Sequence, residues 1–332
     1  MGKLIGFDVG EDSVKMAYFA GRELKKAVAV ETPDAMVAGG RILSMDAMAD
    51  FLKDMAKGNG IPLAGAAMVV PSTEVYTRAV TVPAMTEQQL TYNLPYEFRD
   101  FLTEEKNKYF FDYSVRRIRN DEEGRPVEME LLACAMLKSA VEEYRAMFRR
   151  AGFKLKTLVP AECAYASLLQ NHGKRTGAER PETCIVDLGY RSSNLYIYHG
   201  HEFDSRREID IGSAQLDQLI ADHCDVDIHV ARNYRKSNFN NVLTADYAKE
   251  LYGRIAVEVV KAVNFYNYNN RDRELTDVCF CGGDGNIAPL LDTVAERTSL
   301  KLYPADELLA GVAAPEDPWT YLCAVGGAFG GL

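Results

Sequence analysis

Residues 4–19, LIGFDVGEDSVKMAYF, run apolar up to Asp8, turn at Gly10, pass three polar residues and become apolar again. Two apolar runs around a glycine turn predict a β-hairpin. Its tip carries a carboxylate, Asp8, and an ammonium, Lys15. Such a tip is either a solvated turn or an anion cradle. Residues 183–198, TCIVDLGYRSSNLYIY, repeat the order: apolar run, Asp187, apolar residue, Gly189, polar turn with serines, apolar run. A repeat so widely spaced is no solenoid period. It predicts two halves of one architecture facing each other.

The 332 residues suffice for two domains, and the 47% hydrophobic and 26% charged content fits a soluble globular chain. A net charge of −10 argues against a general nucleic-acid binder, which needs a basic surface, but not against holding one nucleotide. No apolar run reaches 18 residues and no signal peptide is recognisable, so a cytoplasmic chain is expected. The seven cysteines are odd in number and mostly in apolar surroundings, which predicts reduced, buried thiols. Cys279 and Cys281 share a strand face but lack the second pair of a zinc site. His199 and His201 flank Gly200 and read as exposed turn residues.

Strands are predicted over 4–9, 14–20 and 24–30, then a helix over 44–57 and strands at 66–70 and 77–82. Thr86 to Gln89 form a capping-box pattern for a helix to about residue 101, kinked at Pro95. Strands at 109–119 and 126–136, a helix at 138–151 and a strand at 154–159 complete an inserted α+β unit over about 83–156. A helix begins at Pro160, and the aperiodic stretch 171–182 reads as the linker between halves. The first half is thus 1–170 and the second 183–332. Within the second, a helical subdomain is expected over about 214–275. The cluster Phe265-Tyr266-Asn267-Tyr268 reads as core.

Glycine turns follow predicted strands at Gly10, Gly189 and Gly282-Gly283. Without a Cβ, backbone N–H groups can approach an anion closely. Two facing turns can hold a polyphosphate from both sides. Asp8 and Asp187 suit Mg²⁺ held through water. Ser13, Ser192 and Ser193 can donate hydroxyls, Lys15 can neutralise charge, and Gly282-Gly283-Asp284 can face a nucleoside.

Five motifs in this order resemble the actin-like ATPase superfamily, which also holds sugar kinases and heat-shock chaperones. IGFDVGEDSVK is similar to its first phosphate loop, PAECAYA to the first connecting helix and CIVDLGYRSSNLYIY to the second phosphate loop. CFCGGDGNIAPLL is similar to its adenosine motif and YLCAVGGAFGGL to the second connecting helix. More narrowly, VTVPAMTEQQLTYNLPYEFRDFL, MELLACAMLKSAVEEYRAMF and REIDIGSAQLDQLIA resemble the PilM family of type IV pilus assembly proteins, relatives of FtsA.

The resemblance implies an α/β fold of two facing ribonuclease H-like lobes of actin-like type, with an inserted α+β subdomain in the first. It implies ATP and Mg²⁺ held by Asp8, Gly10, Ser13, Val14, Lys15, Gly189, Arg191, Ser192, Ser193, Gly282, Gly283, Asp284 and Asn286. Asp8 and Asp187 would serve the metal, and Glu162 and Asp187 would be the catalytic residues, with Glu162 positioning an attacking water. It also implies a groove by the inserted subdomain for the cytoplasmic N-terminal peptide of a PilN-like inner-membrane protein, with no direct membrane insertion. Self-association is left open. Glu11 and Asp12 depart from the family's small hydroxyl residues in the first loop, and Arg191 from a small residue in the second. Beside the nucleotide-regulated assembly module stand two alternatives: a nucleotide-free scaffold, and a small-molecule kinase of the same superfamily.

Overall fold

The computed structural model describes residues 2–331 except 179, 299, 310, 311, 313 and 314. Glu179 of the expected linker and Leu332 of the last motif lie outside the described residues. Strands β1 (Lys3–Val9), β2 (Ser13–Ala20) and β3 (Glu23–Glu31) form an antiparallel meander. A small hairpin, β4 (Val37–Ala38) and β5 (Arg41–Ile42), leads to α1 (Met45–Gly58). Ser44 caps α1 by accepting from the Ala47 N–H at 3.3 Å, and Met48, Leu52 and Met55 put their apolar stripe into the core. β6 (Gly65–Val70) then returns parallel beside β1.

Between β6 and its neighbour lie β7 (Val75–Pro83), α2 (Glu87–Glu97), β8 (Tyr109–Asn120), β9 (Pro126–Leu137) and α3 (Lys138–Ala151). The three strands form a separate antiparallel sheet in the order β7-β9-β8. Leu90 and Leu94 of α2 share a core with Leu131, Ala133 and Ala135 of β9. Gly152, at φ +87, ends α3 and turns the chain into β10 (Lys154–Pro160), parallel to β6. The first large sheet therefore runs β3-β2-β1-β6-β10.

After α4 (Ala161–Thr176) the plan repeats. β11 (Glu182–Leu188), β12 (Ser193–His199) and β13 (Glu202–Ile209) form a second meander. Helices α5 (Ser213–Cys224), α6 (Ile228–Ser237) and α7 (Asp246–Asn269) precede β14 (Asp277–Gly282), which is parallel to β11. α8 (Ala288–Arg297), β15 (Lys301–Leu302), α9 (Ala305–Leu308) and α10 (Pro318–Gly330) close the fold. The second sheet, β13-β12-β11-β14-β15, has the same order and strand senses as the first.

Three expectations are corrected. α4 continues to Thr176, through much of the stretch read as linker, and stops at Gly177 with φ +70. Gly173 costs a helix only about 1 kcal/mol, so it fails to break one that is packed on its other side. α2 ends at Glu97, two residues beyond Pro95, instead of reaching 101. Of the aromatic cluster on α7 only Tyr266 is buried, because a 3.6-residue period turns Phe265 and Tyr268 to solvent.

One continuous core joins the two large sheets. Tyr165 and Leu168 of α4 and Leu322 and Val325 of α10 pack with Leu4, Phe19 and Val69 on one side and Ile185, Tyr196 and Cys281 on the other. The two helices approach backbone to backbone. A Cβ on Gly326 would stand 2.2 Å from the Ala164 carbonyl oxygen, and one on Gly6 of β1 would stand 1.9 Å from that of Ala324. A Gly326→Ala protein is expected to lose about 1–3 kcal/mol in urea unfolding, because neither backbone can yield cheaply. An unchanged midpoint would show that the helices are not in this contact.

Candidate functional site

The two meander hairpins point their tips into one cleft of about 850 Å³ between the large sheets. The first tip is held by its own chain: the Gly10 N–H donates to the Ser13 carbonyl at 3.1 Å, and the Thr32 hydroxyl donates to the Gly10 carbonyl at 2.7 Å. The second tip sits at the start of α5. The Gly189 and Tyr190 carbonyls accept from the N–H groups of Ser213 and Ala214, which otherwise lack intrahelical partners. Gly282, at φ +93, closes the third side. A Cβ there would lie 2.3 Å from the Leu188 carbonyl oxygen and 2.7 Å from Asp187 Oδ1. Only glycine both adopts this φ and leaves that space.

Asp8 and Asp187 both line the cleft, and Lys15 reaches in beside them with its Nζ 3.3 Å from Asp8 Oδ2. Burial disfavours the Lys15 charge, but Asp8 and Asp187 outweigh it and hold the ammonium above its ordinary range. Burial first, and the Asp8 charge second, push Asp187 up to about 6. Lys15 and the Tyr165 hydroxyl, which donates to Asp187 Oδ2 at 2.9 Å, pull the other way. Tyr165 is fully buried in α4, so a connecting helix positions the carboxylate of the opposite lobe.

Gly10, Ser13, Gly189, Arg191, Ser192, Gly283 and Asp284 also line the cleft. Val14 does not: its side chain is fully buried in the first-lobe core, so only its backbone is near the tip. Ser193 is buried and donates its hydroxyl to the Ile211 carbonyl at 2.7 Å. Asn286 lies in a separate depression with Tyr303 and Trp319. Glu162 is buried, with Oε2 lacking a hydrogen-bond partner, while its neighbour Ala161 lines the cleft.

Two arginines that contact the lining of the cleft escaped the sequence reading. Arg232 and Arg235 of α6 are buried, and Arg235 donates to both Asp217 and Asp284. Arg232 donates to the Tyr190 hydroxyl at 2.7 Å. The signal was basic residues at i, i+3 and i+4 on a polar helix, which usually marks a solvated face. Behind Gly189 and Asp284 the space between α5, α7 and α8 has only about 20 Å³ left, so a bound molecule would occupy the open cleft.

These features test the fit for a metal-bound nucleotide. Glycine turns offer close backbone approach, two carboxylates converge, and cations stand on both sides. Among the described residues no group of three or more metal-ligating side chains occurs. That suits Mg²⁺, which keeps several waters and commonly needs only one or two carboxylates besides phosphate. All seven cysteines are free; Cys323 borders the cleft.

A family model described as type IV pilus assembly protein PilM matches residues 6–309. Among solved structures, a PilM-PilN type IV pilus biogenesis complex is similar, with TM-score 0.82 and 16% identity over 99% of this chain and 98% of that one. The ethanolamine utilization protein EutJ from Carboxydothermus hydrogenoformans has TM-score 0.61 and 12% identity over 98% and 88%. An archaeal actin homolog has TM-score 0.50 and 13% identity over 99% and 98%. The fold is thus the actin-like one of two ribonuclease H-like lobes. No curated protein matches the chain by sequence.

The raised Asp187 fixes a pH signature. An unfolded aspartate titrates near about 3.9. Asp187 holds its proton up to about 6 in the folded chain, so its charge costs little near pH 4 and progressively more as pH rises through 6. Asp187→Asn keeps an acceptor for Tyr165 and is expected to raise stability by about 2–3 kcal/mol at pH 8, with most of the gain gone near pH 4. Urea titrations at the two pH values check this; a gain of equal size at both would contradict it.

Proposed function

We propose, because the chain belongs to the PilM family, that it is a cytoplasmic ATP-binding component of a type IV pilus or related machine. Its lobes close on ATP with Mg²⁺, and it holds the cytoplasmic N-terminal peptide of a PilN-like inner-membrane protein. The observation that carries the nucleotide reading is the convergence of Asp8, Lys15 and Asp187 from two equivalent hairpins on one cleft. The Gly10 and Gly189 turns present backbone N–H groups to phosphate oxygens, with Ser13 and Ser192 adding hydroxyls. Lys15 and Arg191 neutralise charge. Ser193 and Val14 act through backbone and packing, and Gly282, Gly283 and Asp284 bound the nucleoside side. Asp8 and Asp187 are the residues that would hold the metal, and when bound Mg²⁺ would offset the negative charge of the phosphates.

The peptide reading is supported by the likeness to a PilM-PilN complex. It is also supported by the apolar side chains that the inserted unit leaves in solvent, among them Tyr92, Tyr96, Phe110 and Ile118. Such a partner would recruit the chain to the membrane; no helix among the described residues is long and apolar enough to cross one itself. Glu162, buried with an unpartnered carboxylate oxygen beside the cleft, would orient water for a slow hydrolysis.

Immobilised cytoplasmic N-terminal peptide of a PilN-like protein is expected to retain the chain about tenfold more strongly in one nucleotide state than the other. Equal retention with ATP, with ADP and without nucleotide would remove the switch. Glu162→Ala is expected to reduce ATP turnover by at least about 100-fold; turnover equal to the parent's would reject that role.

A further inference from the structure

The two departures from the family pattern in the phosphate loops meet in the cleft. Glu11 Oε2 of the first tip accepts from Arg191 Nε of the second at 2.5 Å. The other oxygen of Glu11 accepts from the Gly40 N–H at 3.3 Å, and the side chain is only 10% exposed. Asp12 points its Oδ1 at α6 of the second lobe, 3.5 Å from Lys236, 3.7 Å from Arg235 and 3.8 Å from Arg232. Glu31, at the end of β3, reaches the same helix, 3.3 Å from Arg232 and 3.7 Å from Lys236.

We propose that Glu11 and Asp12 are a built-in stand-in for ligand phosphate: they occupy cations of the opposite lobe and tie the first hairpin tip to that lobe across the cleft until a polyphosphate displaces them. This deepens the nucleotide reading and rests on it. The contacts join residues of the first lobe to residues of the second, so they tie the two lobes together. They are also poised to exchange. Asp12 Oδ1 is buried and has no hydrogen-bond partner among the described residues, so Coulomb attraction at ion-pair distances holds it. Arg191 is 62% exposed, so its carboxylate partner Glu11 is replaceable.

A triphosphate carries more charge than two carboxylates and offers guanidinium groups a bidentate partner. It can take Arg191 from Glu11, while Glu11 and Asp12 repel it for as long as they stay. Arg235 takes no part in the exchange, because Asp217 and Asp284 fix it within its own lobe. The loop therefore sets a threshold: ligand binding and release of the acidic tip are one event. A chain with small hydroxyl residues at 11 and 12 would lack that threshold.

The test compares the full chain with Glu11→Gln/Asp12→Asn by amide hydrogen exchange without ligand and by calorimetric titration with Mg·ATP. Exchange in segments 10–13 and 189–192 is expected to speed about tenfold in the variant, and Mg·ATP to bind about tenfold more tightly. Glu11→Arg is expected to speed exchange as well, and Glu11→Arg/Arg191→Glu to restore protection by reversing the pair. Faster exchange with no Mg·ATP binding in either protein would uphold the latch and remove the nucleotide reading. Unchanged exchange would overturn the latch, whether Mg·ATP binds more tightly or not, because tighter binding alone reports loss of repulsion. Failure of the reversed pair to restore protection would overturn it equally.

Discussion

One buried ammonium answers two carboxylates at the centre of this molecule. Asp8 and Asp187 come from different sheets, and each is the second-to-last residue of a strand paired on both sides. Lys15 feels both and is held charged by both, against its own burial. That balance is incomplete: the Asp8 charge still works with burial to push Asp187 up to about 6. Two like charges sharing one partner in a low-dielectric cleft make a site that a divalent cation would relieve. The surrounding structure serves that arrangement. Tyr165 fixes Asp187 from α4, and α4 is fixed by its glycine contact with α10, so the lobes cannot slide without disturbing the carboxylate.

The acidic tip of the first hairpin gives the same centre a second layer of electrostatics. Read in isolation, Glu11 and Asp12 argue against a phosphate site. In the folded chain they are neutralised across the cleft by Arg191 and the basic face of α6. Partly buried ion pairs of this kind are strong only while both partners stay in place. A loop tied across the cleft by its own carboxylates is therefore compatible with a nucleotide site and makes ligand binding conditional on releasing it. It also gives the nucleotide-free scaffold its one structural foothold, since the same contacts would keep such a scaffold rigid.

Much of this was legible in residue order. The two Asp–x–Gly turns between apolar runs predicted hairpins of one design, and both sheets carry them in the same position. The stretch 321–332 resembled a connecting helix, and α10 covers most of it; that its Gly326 meets the Ala164 carbonyl emerges only from the packing. What stayed hidden was what depends on distant packing. α4 runs past Gly173 because its opposite face is buried, which no local pattern announces. Arg232 and Arg235 look solvated on α6 until Asp217 and Tyr190 are brought against them. Glu11 and Arg191 lie far apart in sequence, so their pairing exists only once two hairpins face each other. Asn286 reads as part of a glycine motif, yet the turn at Gly285 carries it into another depression.

The central claim is that a nucleotide with its metal lies between Asp8 and Asp187. Calorimetric titration of the intact chain with ATP and Mg²⁺, beside an Asp187→Ala protein, tests it most directly. The account predicts one site per chain, binding in the micromolar range with Mg²⁺, and loss of that binding in the variant. No heat of binding up to millimolar ATP, or equal binding by both proteins, would contradict it.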